Sequence, residues 1–190
     1  MRRAMMIVLF LSCTGAAFAQ TGEFSVSAGV SKFRNNALGT GSYSDIKATS
    51  NFRLGFRFTV NSWRFFGHEL GYAYNHGNLE TPSGTLGMPV HQGMYNFLAY
   101  ATPEGARIRP FATGGIHFST FYPPGSCVYC GNGATKFGYN YGGGIKVRLT
   151  DMFIGRIDVR DYTTGKPDFG TSPSGLLHQL EVSAGLGLAF

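Results

Sequence analysis

Long apolar runs, cysteines and acidic residues are all scarce in this chain, and each scarcity removes a class of protein. Beyond the first twenty residues no apolar run approaches the ~18 residues that a spanning helix needs, which excludes helical membrane spans. Cysteine occurs three times, at Cys13, Cys127 and Cys130. A C-x-x-C pair is half of a zinc site, but a closed site needs about four ligands and no His-rich segment lies nearby. A redox motif would need a helix N-terminus to lower the thiol pKa, and Pro123-Pro124-Gly125 and Gly131-Asn132-Gly133 on either side exclude one. Cys127 and Cys130 are therefore expected to form a disulfide clip in a loop. No cofactor is expected. Asp and Glu total 10 against 16 Lys and Arg. The bases nevertheless stand singly between apolar residues instead of in patches, which argues against nucleic acid as a partner.

What the chain does have begins with a leader. Arg2-Arg3 precede the apolar run from Ala4 to Leu11, and Ala17-Phe18-Ala19 follows as a small-x-small site. This is the pattern of a secretory signal peptide, residues 1–19, with cleavage expected between Ala19 and Gln20. Lipidation of Cys13 is the rival reading, but Phe10 occupies the position three residues ahead where such sites favour Leu. Cleavage leaves residues 20–190 as one domain carrying fourteen basic and ten acidic residues, a formal charge of +4.

The mature chain is rich in Gly, with 28 in the whole sequence, and alternates with period two, the mark of strands whose faces differ. Phe52, Leu54, Phe56, Phe58 and Val60 lie on one face of a segment whose other face carries Arg53, Gly55 and Arg57. Phe137, Tyr139, Tyr141, Ile145 and Val147 alternate in the same way with Gly138, Asn140, Gly142, Gly144 and Lys146. Eight such segments can be traced, joined alternately by short turns and by longer loops at 32–49, 75–89, 120–135 and 163–175. Strict alternation of short and long connections predicts an all-β, eight-stranded, antiparallel up-and-down transmembrane barrel with apolar residues outward, both termini periplasmic and the long loops outside the cell. A soluble barrel of lipocalin type is the competing fold. It would have to pack the Phe stripes into a lumen only about as wide as the side chains that fill it.

The export signal, the Gly-rich strands such as Phe111-Ala112-Thr113-Gly114-Gly115-Ile116, and the terminal Phe190 with Leu188 and Leu186 at alternate positions carry a resemblance. The mature chain resembles the outer-membrane beta-barrel domain family, in particular small eight-stranded barrels of the OmpA and OmpX type. The resemblance implies an integral outer-membrane protein surrounded by lipids and lipopolysaccharide. It also implies that Phe190, Leu188 and Leu186 are read by the barrel-assembly machinery, and it leaves the loops open to an extracellular ligand of unknown identity. A structural or surface-interaction role follows, without enzymatic activity.

Two other functions compete. The inward polar set is expected to comprise Arg53, Arg57, Glu69, Arg109, Lys146, Arg148, Arg156, Asp158, Arg160 and Glu181. In a narrow lumen these charges must pair, because unpaired burial costs several kcal/mol per ion. An ion-pair plug is the first reading, and a hairpin centred on Trp63 would set Glu69 opposite Arg57. A thin anion-favouring channel is the second, since seven bases face three acids. The other competing function is hydrolysis. Lipid A deacylases are eight-stranded barrels with a His-x-Ser pair on one strand face, and His117-Phe118-Ser119 matches that spacing. Here the shared face is expected to point into the lumen, and no Glu follows to orient the His. Trp63, Phe65, Phe66 and Phe190 on the turn side, and Tyr72, Tyr74 and Tyr139 towards the loops, are expected to form interfacial girdles.

Overall fold

A computed structural model describes residues 21–38, 46–82, 84–122, 133–169 and 174–190. Eight strands form a closed barrel: β1 (Thr21–Arg34), β2 (Lys47–Trp63), β3 (Phe66–Thr81), β4 (Gly84–Tyr100), β5 (Ile108–Phe121), β6 (Ala134–Arg148), β7 (Phe153–Gly165) and β8 (Leu176–Ala189). Every neighbour pair is antiparallel and consecutive in sequence, and β1 pairs with β8 from Glu23↔Ala189 to Arg34↔His178. Phe190 extends the seam, with backbone hydrogen bonds of 2.9 Å exchanged in both directions with Gly22. Closure removes the unpaired strand edges that could not be satisfied in hydrocarbon.

Each strand turns its apolar residues outward over the membrane band, as the alternation demands. Phe56, Leu70, Tyr95, Ile116, Tyr141, Ile157 and Val182 are exposed, while Arg57, Glu69, Asn96, His117, Asn140, Asp158 and Glu181 are buried. Histidines on the outer wall are satisfied locally. His68 Nδ1 lies 2.7 Å from the Tyr95 hydroxyl, and His91 Nδ1 lies 2.6 Å from the Tyr72 hydroxyl.

Three connections differ from the sequence reading. The expected loop 75–89 is mostly strand, since β3 continues to Thr81 and β4 begins at Gly84. The alternation persists there but changes sense. Asn75, Gly77 and Leu79 point in, whereas His76 and Glu80 point out into exposure. Met88 and Val90 do the same on β4, and Phe33, between exposed Lys32 and Arg34, on β1. Towards this end of the barrel the wall takes the apolar-in, polar-out pattern of a soluble barrel, the pattern expected of a wall that faces water. The β2–β3 turn lies at Arg64 and Phe65 instead of around Asn61-Ser62-Trp63, with a register shift between Asn61 and Trp63. Glu69 therefore faces Thr59, not Arg57. The β4–β5 connection runs from 101 to 107, longer than the tight turn that the sequence Thr102-Pro103-Glu104-Gly105 predicts, and Gly105 takes a φ of 90° within it.

Candidate functional site in the barrel lumen

The inward faces stack in layers along the barrel. At the turn end Glu23 from β1 meets Lys146 from β6, with the Arg109 guanidinium 4.0 Å away. Asn61 donates to the same carboxylate at 2.8 Å. Tyr100 closes this layer: the Arg109 guanidinium lies 3.7 Å from its ring centroid, and Lys146 Nζ donates to its hydroxyl at 2.9 Å.

The middle layer is a network of four guanidiniums and three carboxylates, none more than 4% exposed. Glu69 receives Arg156 at 2.7 Å and Arg160 at 2.9 Å, with Arg57 at 3.9 Å. Asp158 is held by Arg156 through Nε at 2.6 Å and Nη2 at 2.9 Å, and by Arg160 at 2.9 Å. Glu181 bridges Arg53 at 2.9 Å and Arg57 at 2.8 Å, and accepts from the Ser183 hydroxyl at 2.6 Å. Guanidinium suits this place, because its planar fork serves two carboxylates at once and keeps its charge when buried. Space for it comes from β6: a Cβ on Gly142 would come within 2.7 Å of Arg160 Cα.

Neutral amides follow. Arg53 Nη1 donates to Asn75 Oδ1 at 2.9 Å and also bonds Gln92 Oε1. Gln92 Nε2 donates to Ser119 Oγ at 2.9 Å and to Gln179 Oε1 at 2.8 Å, and Gln179 Nε2 donates to Ser31 Oγ at 2.9 Å. Above them the loop end of the lumen is apolar, formed by Phe33, Ala48, Leu79, Met88, Val90, Phe121 and Leu177, with Leu38 from the β1–β2 connection inserted as a stopper. Lys166 Nζ donates to the Ala37 carbonyl at 2.7 Å and ties that connection to the one between β7 and β8.

Nine of the ten expected lumen charges come together here. The exception is Arg148, which lies half-buried at the turn-end rim, outside every ion pair among the described residues. It falls at the last residue of β6, where the wall ends and water reaches the side chain. Glu23 was missed, although it continues the inward face of Ser25 and Ser27 one step back. With Glu23 included and Arg148 excluded, the buried charges are six bases and four acids, in place of seven and three. Asn75 and the phenols Tyr100 and Tyr162 were likewise unmarked, because polar neutral side chains leave no charge pattern to read.

His117 and Ser119 both point inward and are buried, as expected. His117 stands edge-on to Tyr162, centroids 5.2 Å apart, and neither ring nitrogen has a hydrogen-bond partner. Ser119 is engaged by Gln92 instead. Among the described residues no group of three or more His, Cys, Asp or Glu side chains is placed to hold a metal ion. Cys127, Cys130, Ala19 and Gln20 lie outside the described residues. Leu186, Leu188 and Phe190 line the outer wall and are exposed.

Similar proteins share this architecture. Neisserial surface protein A superposes with a TM-score of 0.64 at 13% identity, over 89% of this chain and 97% of that one. OprG from Pseudomonas aeruginosa gives 0.61 at 15% identity, over 90% and 95%. Ail of Yersinia pestis, solved with the heparin analogue sucrose octasulfate, gives 0.55 at 12% identity, over 90% and 99%. At such identities the likeness is one of fold. No match is found among curated proteins. A closed eight-stranded barrel with an apolar outer band agrees with the family model that spans residues 5–190, and the chain belongs to the outer membrane protein beta-barrel domain family.

Proposed function

We propose that this outer-membrane barrel neither conducts nor catalyses, and that it acts through the surface its loop-end connections present outside the cell, with both termini periplasmic. The observation that carries this reading is the filled lumen. Ion pairs, amides and an apolar stopper succeed one another from Glu23 to Leu38. A solute would have to break buried pairs, each costing about 3–5 kcal/mol when one partner is lost, and then displace hydrocarbon side chains. The family supports a setting of lipid and lipopolysaccharide for the outer wall. Insertion by the barrel-assembly machinery belongs to the same reading. Ail, bound to a heparin analogue, is an instance of this fold meeting a polyanion. For the present chain the ligand of the connections 35–46, 122–133 and 166–175 is to be sought by screening on whole cells.

Hydrolysis finds little support in the inward pair His117 and Ser119, which are buried and engaged separately, by Tyr162 and Gln92. Single-channel recording in planar bilayers tests the main claim. Absence of conductance steps is expected; regular anion-selective steps would return the channel reading. Lipid A from cells with and without the protein should give identical mass spectra, and loss of an acyl chain would make it a hydrolase.

A further inference from the structure

The middle layer of the lumen does not balance. Arg53, Arg57, Arg156 and Arg160 face Glu69, Asp158 and Glu181, which leaves one positive charge among side chains that are almost wholly buried. Guanidinium does not give up its proton in a protein. Nothing among these seven groups can remove the excess by titrating away a cation, and an uncompensated buried charge costs several kcal/mol.

The same layer has a polar flank with unused hydrogen-bonding capacity. The register sets Asn96, Gly115, Asn140 and Tyr162 side by side in one inward row of β4 to β7, and Met94, His117 and Gly138 in the next. Both ring nitrogens of His117 and both side-chain polar atoms of Asn140 are buried without partners. So are Asn96 Oδ1, Arg160 Nη1 and Arg53 Nη2. The Arg53 guanidinium lies 4.6 Å from the centre of the Tyr162 ring, the same ring that His117 meets edge-on, so cation and imidazole flank one wall. Gly115 is required at the centre of the flank, since a Cβ there would come within 2.7 Å of Asn96 Cα.

We propose that this flank binds one small monovalent inorganic anion of the chloride class, held by N–H groups of His117, Asn140 and the free guanidinium edges of Arg53 and Arg160. Chloride is an acceptor only, which suits the unused donors, and its single charge matches the excess of this layer; the lumen's other excess charge lies at the turn end, where Lys146 and Arg109 share Glu23. The orphaned carbonyl oxygens of Asn96 and Asn140 accept hydrogen bonds from water that accompanies it. Water alone would satisfy the orphan atoms but not the charge. The site is a structural one, independent of any ligand at the outer surface.

Protein extracted from outer membranes tests this by heat-modifiable gel mobility in sodium chloride against sodium gluconate at constant ionic strength. Saturation with chloride, at about a hundredfold excess over its dissociation constant, should raise the unfolding midpoint by roughly 5–10 °C. Asn140→Leu and His117→Leu should remove that dependence. Equal midpoints in the two salts overturn the proposal, and dependence kept in both variants overturns the location. If the variants fail to insert, crystals of the unaltered protein grown in bromide decide: an anomalous peak beside Asn140 is expected, and a lumen without one sinks the proposal.

Discussion

Arg57 on β2 reaches Glu181 on β8 across the intervening β1, with Nη2 to Oε1 at 2.8 Å between residues 124 apart in the chain. The same guanidinium donates to Ser27 Oγ on β1 at 2.8 Å. One side chain thus bonds to β1 and β8, the two strands that close the barrel. Arg156 and Arg160 on β7 reach Glu69 on β3, so the network acts as a set of internal cross-braces.

Loss of an acid should therefore cost more than loss of a base. Glu69→Ala removes one of the two carboxylates that hold Arg156 and Arg160 and leaves four guanidiniums with two carboxylates, whereas Arg53→Ala leaves three against three. Destabilisation by Glu69→Ala is expected near the 3–5 kcal/mol typical of a broken buried pair, approximately, and Arg53→Ala should lose less. Urea unfolding midpoints of the refolded variants measure it, and equal losses would count against a shared network.

The change of sense along β3 can be tested by placing one residue type on either side of it. Phe56→Arg puts a charge on the lipid-facing wall and should cost about 2–4 kcal/mol. His76→Arg, also outward but beyond the lipid band, should stay within about ±0.5 kcal/mol. Comparable losses for both in lipid vesicles would place His76 inside the membrane.

The apolar stopper should behave as a hydrocarbon core despite its place above a polar lumen. Met88 and Leu177 show no exposure, so Met88→Ala or Leu177→Ala should destabilise by about 2–5 kcal/mol through the cavity left behind. A loss below about 0.5 kcal/mol in denaturant unfolding would mean that the mouth is open to water.

Phe190 is expected to matter for assembly more than for stability. The residue is 73% exposed and Phe58, an aromatic neighbour, is 6.4 Å away between centroids, so little of the ~1.5–3 kcal/mol of a fully buried Phe is realised. Deleting Phe190 should sharply reduce the heat-modifiable form in membrane fractions while leaving refolding into detergent largely intact. Normal insertion in cells would remove the assembly signal.

Sidedness was legible in the sequence because it is local. Period two tells which residues share a face, and a Phe stripe opposite Arg, Gly and Asn says that hydrocarbon lies outside. The inward place of Arg57, Glu69, Asp158 and Glu181 follows from that alone, and the alternation of short and long connections adds the eight strands and their order. Which charge meets which does not, because partners such as Arg57 and Glu181 come together only when the last strand closes on the first. A turn displaced from Trp63 to Arg64 and Phe65 was enough to move Glu69 from Arg57 to Thr59. The stopper was hidden for a different reason: its alternation is the reverse of the membrane pattern, and the sense of an alternation has meaning only once it is known which medium surrounds that height of the wall. That depends on where lipid ends along the assembled barrel, a property of the tertiary structure and not of any single strand.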